Sequence, residues 1–167
     1  SEISKLRTDN QPYSEIFAYT LLRRSGSGRF PSDTEFKEAF ATKNMYSLRA
    51  SWRDYIFDVL ENGESKDVRD ISRALQDGDI SIEHIMPQTL TPAWKEALGP
   101  DAEEIHETWL NRIGNLTVTG YNSSYSNASF ERKKSMEDGF DATPYRLNDM
   151  VKSVSYTHLT LPTTPYV

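Results

Sequence analysis

The chain has 167 residues, a formal net charge of −6 and no cysteine. Its length suffices for one core of ordinary size with a helical annex, and the lack of thiols excludes disulfides and thiolate zinc sites. The acidic balance excludes a protein that holds nucleic acid by bulk positive charge, although local basic groups at Arg23-Arg24 and Arg132-Lys133-Lys134 can still meet phosphates.

Residues 1–12 are polar, end at Pro12 and read as a loop or the stump of a longer protein. There is no basic leader followed by an apolar run, and no apolar segment of membrane-spanning length, so no membrane is expected and a cytoplasmic location is. Tyr13 to Arg24 carries Ile16, Phe17, Tyr19, Thr20 and Leu21 with a basic last turn, the pattern of an amphipathic helix. Ser25-Gly26-Ser27-Gly28 stops it. Ser32 or Asp33 caps the next helix through Phe40, and Ser32 with Glu35 has capping-box spacing. A third helix is expected from Ser47 to Leu60, burying Leu48, Trp52, Tyr55, Ile56 and Val59 and ending at Asn62-Gly63. Residues 64–78 are polar with partial helical spacing at Val68, Ile71 and Leu75, which leaves their structure open.

The stretch from Ile80 to Met136 reads as strand, long excursion, strand, helix. Ile80, Ile82 and His84 alternate with Ser81, Glu83 and Ile85, and Pro87 ends the strand because it cannot donate to a ladder. In the excursion, Thr91-Pro92 opens a short helix that Gly99-Pro100 closes, and Asp101 to Ile113 forms a second, burying Ile105, Trp109, Leu110 and Ile113. Asn115 to Thr119, rich in β-branched residues between Gly114 and Gly120, is the partner strand. Ser126 to Met136 is expected to be one helix carrying Phe130, Lys133 and Lys134. A loop over 139–144 and a helix over 146–154 follow. From Val154 onward the text resembles translated adaptor or vector sequence and is left out of the fold.

A carboxylate, an imidazole and several carboxamides can therefore converge, a set suited to phosphodiester hydrolysis assisted by a divalent ion. Such an ion takes hard oxygen ligands and needs only one or two from protein. Glu83 offers one, and Asn122 or Asn127 another. His84, neutral beside the ion, is the candidate base for an attacking water. His106, on a polar helix face among glutamates, reads as solvated, and His158 lies in the excluded tail. Lys133, with Arg132 or Lys134 as substitutes, is a candidate to hold the scissile phosphate or stabilise the leaving oxygen; an exposed helical lysine serves equally as a solvated face.

Glu83-His84-Ile85-Met86-Pro87-Gln88, Gly114-Asn115-Leu116-Thr117, and Asn122, Asn127, Ser129, Phe130 and Lys133 together resemble the ββα-metal, or His-Me finger, nucleases of the HNH class. More narrowly, they are similar to the C-terminal nuclease domain of GmrSD-type modification-dependent restriction endonucleases. The resemblance implies an α+β, mostly helical chain with an HNH-like ββα-metal finger embedded among helices. It also implies a nuclease using Mg²⁺ or Mn²⁺, with Asn115 bracing the loop and orienting His84, and Glu83 with Asn122 or Asn127 as metal ligands. Glu83 stands where many relatives have Asp, one methylene shorter. The implied substrate is DNA, including base-modified phage DNA, and the implied partner is a ParB-like N-terminal domain that this chain does not contain. The expected division is a helical platform over 1–79, a nuclease core over 80–153 and a non-native or disordered tail over 154–167. The rival reading is a catalytically inactive interaction or DNA-binding module that keeps the nuclease shape.

Overall fold

The computed structural model describes residues 12–154. The polar start expected to be a loop and, from residue 155, the adaptor-like tail lie outside them. The chain divides into two compact units between Thr42 and Lys43. The helices over 50–77, read in the sequence as part of a platform ending at residue 79, thus share a unit with the sheet.

In the first unit, α1 spans Tyr13–Leu22 and α2 Asp33–Thr42. The first follows Pro12, whose φ of −59° is pre-set for a helix start. Ile16 is its buried residue, whereas Phe17 and Tyr19 are exposed. The helix stops at Leu22, before the two arginines, and Arg23 donates back to the Tyr19 hydroxyl at 2.8 Å. The capping box of α2 is present: Glu35 N donates to Ser32 Oγ at 3.3 Å and Ser32 N to Glu35 Oε2 at 2.9 Å.

The second unit runs through α3 (Ala50–Asn62), α4 (Ile71–Asp77), β1 (Ser81–His84), α5 (Pro92–Leu98), α6 (Ala102–Trp109), β2 (Leu116–Thr119), α7 (Asn122–Tyr125), α8 (Phe130–Ser135) and α9 (Asp149–Ser153). The described chain is mostly helical with one two-stranded antiparallel sheet, an α+β arrangement. No described helix is long and apolar enough to cross a membrane. Ser81 pairs with Thr119 and His84 with Leu116, so β1 brings His84 opposite the start of β2.

The expected inward face of α3 is only partly covered, with Leu48 and Ile56 half-buried. Trp52, Tyr55 and Val59 are 65 %, 63 % and 48 % exposed, while Asp54, Phe57, Glu61 and Asn62 are buried. The polar side chains turn inward because they satisfy distant backbone groups. Asp58 Oδ1 accepts from the amides of Ile71 (2.9 Å) and Ser72 (3.1 Å) at the start of α4. Glu61 accepts from Arg146 N and Leu147 N, both at 3.0 Å. Asn62 exchanges two 2.8 Å bonds with the Arg69 backbone. The open stretch over 64–78 resolves into α4, capped by Asp70 and ended by Gly78 at φ 81°.

Two expected helices are shorter than their patterns. The one from Asp101 ends at Trp109, and Asn115 Nδ2 donates to the Leu110 carbonyl at 2.9 Å just beyond it. The helix expected over 126–136 begins only at Phe130, after a non-helical stretch over 126–129. Ser126 holds φ at 43°, outside the helical region, and Ser129 caps α8 anew. The last helix begins as a tight turn over 146–148, where buried Asn148 accepts from Thr117 Oγ1 at 2.7 Å and so ties this segment to β2.

A core of Met86, Trp94, Tyr125, Phe130, Phe140 and Val151 joins α5 to α7, α8 and α9. Trp94 Nε1 donates to Ala128 O at 2.8 Å, and Tyr125 meets Phe140 edge-on at 4.9 Å. These contacts hold the helices against the end of β1. Gly139 closes the turn after α8, where an added Cβ would lie 2.7 Å from the carbonyl oxygens of Lys133, Lys134 and Met136. Gly139→Ala is therefore expected to cost about 1–3 kcal/mol of stability by overpacking against fixed backbone. A urea midpoint equal to the parent's would contradict this.

Candidate functional site

A cleft of about 230 Å³ opens at the end of β1 and is lined by Glu83, His84, Gln88, Asn122 and Asn127 among others. Four of the six residues singled out in the sequence thus line one cavity.

His84 is 5 % exposed, stacked on the Tyr46 ring (centroids 5.3 Å apart, planes 14° apart). Its Nε2 lies 3.2 Å from Asn111 Oδ1, and its Nδ1 lies 3.4 Å from Gln88 Nε2. An amide oxygen accepts and an amide nitrogen donates, so the tautomer that satisfies both carries its proton on Nε2 and leaves the Nδ1 lone pair on the Gln88 side. Burial lowers the His84 pKa below its ordinary 6.5; Asn111 opposes the shift, and the Lys133 and His106 charges add to it. The imidazole is neutral at neutral pH, the form a general base needs.

Asn115 is 6 % exposed and bonds to the chain just past His84. Its Oδ1 accepts from Met86 N at 2.7 Å and its Nδ2 donates to Met86 O at 3.0 Å, while its own carbonyl accepts from Ile85 N at 2.9 Å. It fastens residues 85 and 86. The side-chain amides on the imidazole itself are those of Asn111 and Gln88.

Glu83 and Lys133 form a buried ion pair, Nζ to Oε1 2.6 Å, with side chains 5 % and 0 % exposed. Lys133 also donates to the carbonyls of His84 (2.7 Å) and Ile85 (3.2 Å). All three ammonium protons are used inside the protein. The expectation that Lys133 reaches a phosphate is corrected accordingly: its ammonium has neither exposure nor a free donor. Burial pushes the Glu83 carboxyl up and the Lys133 ammonium down, and each charge opposes the other's shift. Glu83 Oε2 has no hydrogen-bond partner among the described residues.

Asn122 Nδ2 donates to Ser81 Oγ at 3.0 Å and Ile82 O at 3.1 Å. A carbonyl can only accept, so the amide nitrogen must face it, and Oδ1 is left without a partner among the described residues. Asn127 is exposed on the cleft rim. Lys134, a substitute for Lys133 in the sequence reading, is engaged by the carbonyls of Lys152 (2.6 Å) and Val154 (2.7 Å). His106, expected to be solvated, is partly buried with Nε2 2.9 Å from Pro87 O, where it secures the loop after β1.

A family model for GmrSD restriction endonucleases, C-terminal domain, matches residues 30–161. The chain belongs to this family. The match reaches into the segment beyond Val154 that reads as adaptor-like. No curated protein and no solved structure matches the chain. As a GmrSD C-terminal domain, the chain is a restriction endonuclease domain, and the substrate of such a domain is DNA.

The donor chemistry of the cleft fits a hard divalent cation. Glu83 Oε2 and Asn122 Oδ1 are oxygen donors left over after their side chains are otherwise fixed, and Asn127 adds a third at the rim. Among the described residues no three His, Cys, Asp or Glu side chains cluster as a metal site. In the GmrSD domain three residues around His84 were not identified from sequence. Asn111 and Tyr46 gave no local signal, since each reaches His84 from a separate turn. Gln88 lay within the quoted motif, and its contact with Nδ1 is set by the bend at Pro87.

Proposed function

We propose that this domain is an HNH-type, ββα-metal DNA endonuclease that hydrolyses phosphodiester bonds with a divalent cation. The observation that carries the reading is His84: neutral, held by Asn111 at Nε2, and presenting Nδ1 beside a cleft lined by Glu83 and Asn122. β1, β2 and the two short helices α7 and α8 correspond to the finger.

Once water takes the place of Gln88 Nε2 beside it, His84 Nδ1 takes a proton from that water, whose oxygen attacks phosphorus; the P–O bond to the departing sugar oxygen breaks, and that oxygen leaves with a proton from solvent. Glu83 Oε2 and Asn122 Oδ1, with Asn127 as second choice, would hold Mg²⁺ or Mn²⁺. The bound ion supplies charge that polarises the phosphate and stabilises the leaving oxygen. Asn115 keeps the loop after His84 in place. Lys133 is a positioning residue, holding Glu83 and the carbonyls of residues 84 and 85 rather than touching substrate. Base-modified phage DNA as the target, a ParB-like N-terminal partner domain and action in the cytoplasm complete the reading.

Incubation with supercoiled plasmid tests it. Nicking or linearisation in Mg²⁺ or Mn²⁺ that stops in EDTA is expected. If neither plain plasmid nor modified phage DNA is cut, with the partner domain supplied, the inactive interaction module is the better account.

A further inference from the structure

With Lys133 and Lys134 both engaged by protein oxygens, the cleft lacks the cation that was expected to meet the phosphate. A different cation lies on the ring stacked against His84. Tyr46 lies on the imidazole at 5.3 Å, and the guanidinium of Arg53, from the first turn of α3, lies over the other partner of that stack, 4.6 Å from the Tyr46 ring centroid. Arg53 Nε is buried and is the one buried side-chain nitrogen or oxygen among the described residues with no hydrogen-bond partner. Its closest carboxylate oxygen, Asp54 Oδ1, is 4.0 Å away, beyond hydrogen-bond length. The terminal nitrogens have no partner among the described residues either. A partly buried guanidinium held over an aromatic ring with its donors unused calls for an acceptor, and a planar fork matches phosphate oxygens in pairs.

Resting on the nuclease reading above, we propose that Arg53 is a substrate-contacting residue that binds a DNA phosphate beside the one on which His84 acts. The aromatic ring fixes where the charge sits, so little side-chain freedom is lost on binding. Arg132 is exposed, and nothing among the described residues holds its guanidinium in place. Anchoring through Tyr46 also links phosphate binding to the base, since the same ring covers the imidazole.

The test is a titration of a fluorescein-labelled DNA duplex with the full chain in EDTA, which stops cleavage, over a range of salt. Arg53→Met keeps apolar packing on Tyr46 and removes the charge. It is expected to bind more weakly and to lower the steepness of log K against log salt by about 0.9, one phosphate contact, while Arg53→Lys keeps the parent's steepness. A parent-like slope and affinity for Arg53→Met overturns the proposal. A second measurement needs no variant: phenylglyoxal labelling read by mass spectrometry is expected to fall at Arg53 when the duplex is bound, and equal labelling with and without duplex overturns it. A parent that binds no DNA and cuts none sinks the nuclease reading and Arg53's role together. A parent that cuts, with an indifferent Arg53, sinks the second alone.

Discussion

Lys133→Met is expected to destabilise the domain by about 3–5 kcal/mol, the cost of stranding a buried charge when its partner is removed. The loss is large against the roughly 5–15 kcal/mol that holds a typical domain together. Three oxygens lose their donor at once: Glu83 Oε1 and the carbonyls of His84 and Ile85. Adding Glu83→Met should recover part of it, because two apolar side chains replace a desolvated pair, whereas the two carbonyls still lack a donor. The double variant should remain inactive if Glu83 holds the metal. Urea unfolding checks both, read as a shift in midpoint at constant slope. A single variant as stable as the parent would mean that the ion pair is open to water, contrary to a Lys133 with no exposed surface.

The second large effect concerns pH. His84→Ala is expected to slow cleavage by about 10²–10⁴, the usual worth of a positioned general base. In the parent the base form is the active one. Because burial lowers the His84 pKa below 6.5, cleavage should persist as pH falls past 6.5 and decline only further down. Stability moves at higher pH than rate. The unfolded imidazole takes up its proton near 6.5 and the folded one below that, so protons favour the unfolded chain and stability declines as pH drops through 6.5. Denaturation in EDTA at a series of pH values, beside the same series for His84→Ala, isolates this contribution. A parent whose rate falls above pH 6.5 would argue against a buried, neutral base.

Where a signal is carried by neighbouring residues, the sequence was readable. The Ser32 and Glu35 box and the Thr91-Pro92 helix start appear because each depends on bonds within a few residues, and the two strands appear because Pro and Gly stops beside them mark their bounds locally. The inward face of α3 was only partly readable. Its apolar spacing favoured Trp52, Tyr55 and Val59, but Asp58, Glu61 and Asn62 have partners between 7 and 86 residues away that spacing does not reveal. Lys133 failed for the same reason: its partner Glu83 is 50 residues back, and a lysine on a short helix looks solvent-facing until that pairing is known. His84, Glu83, Asn122 and Asn127 do meet at one cleft, whereas Asn111 and Tyr46 reach the imidazole through contacts without a local pattern.

Removal of a proton from the attacking water by His84 is open to chemical rescue. Plasmid cleavage would be timed for the parent and for His84→Gly in Mg²⁺, with and without added imidazole. His84→Gly is expected to be nearly silent, and free imidazole, in its neutral form, to restore part of the rate. Cleavage by His84→Gly at the parent's rate, without imidazole, would contradict it.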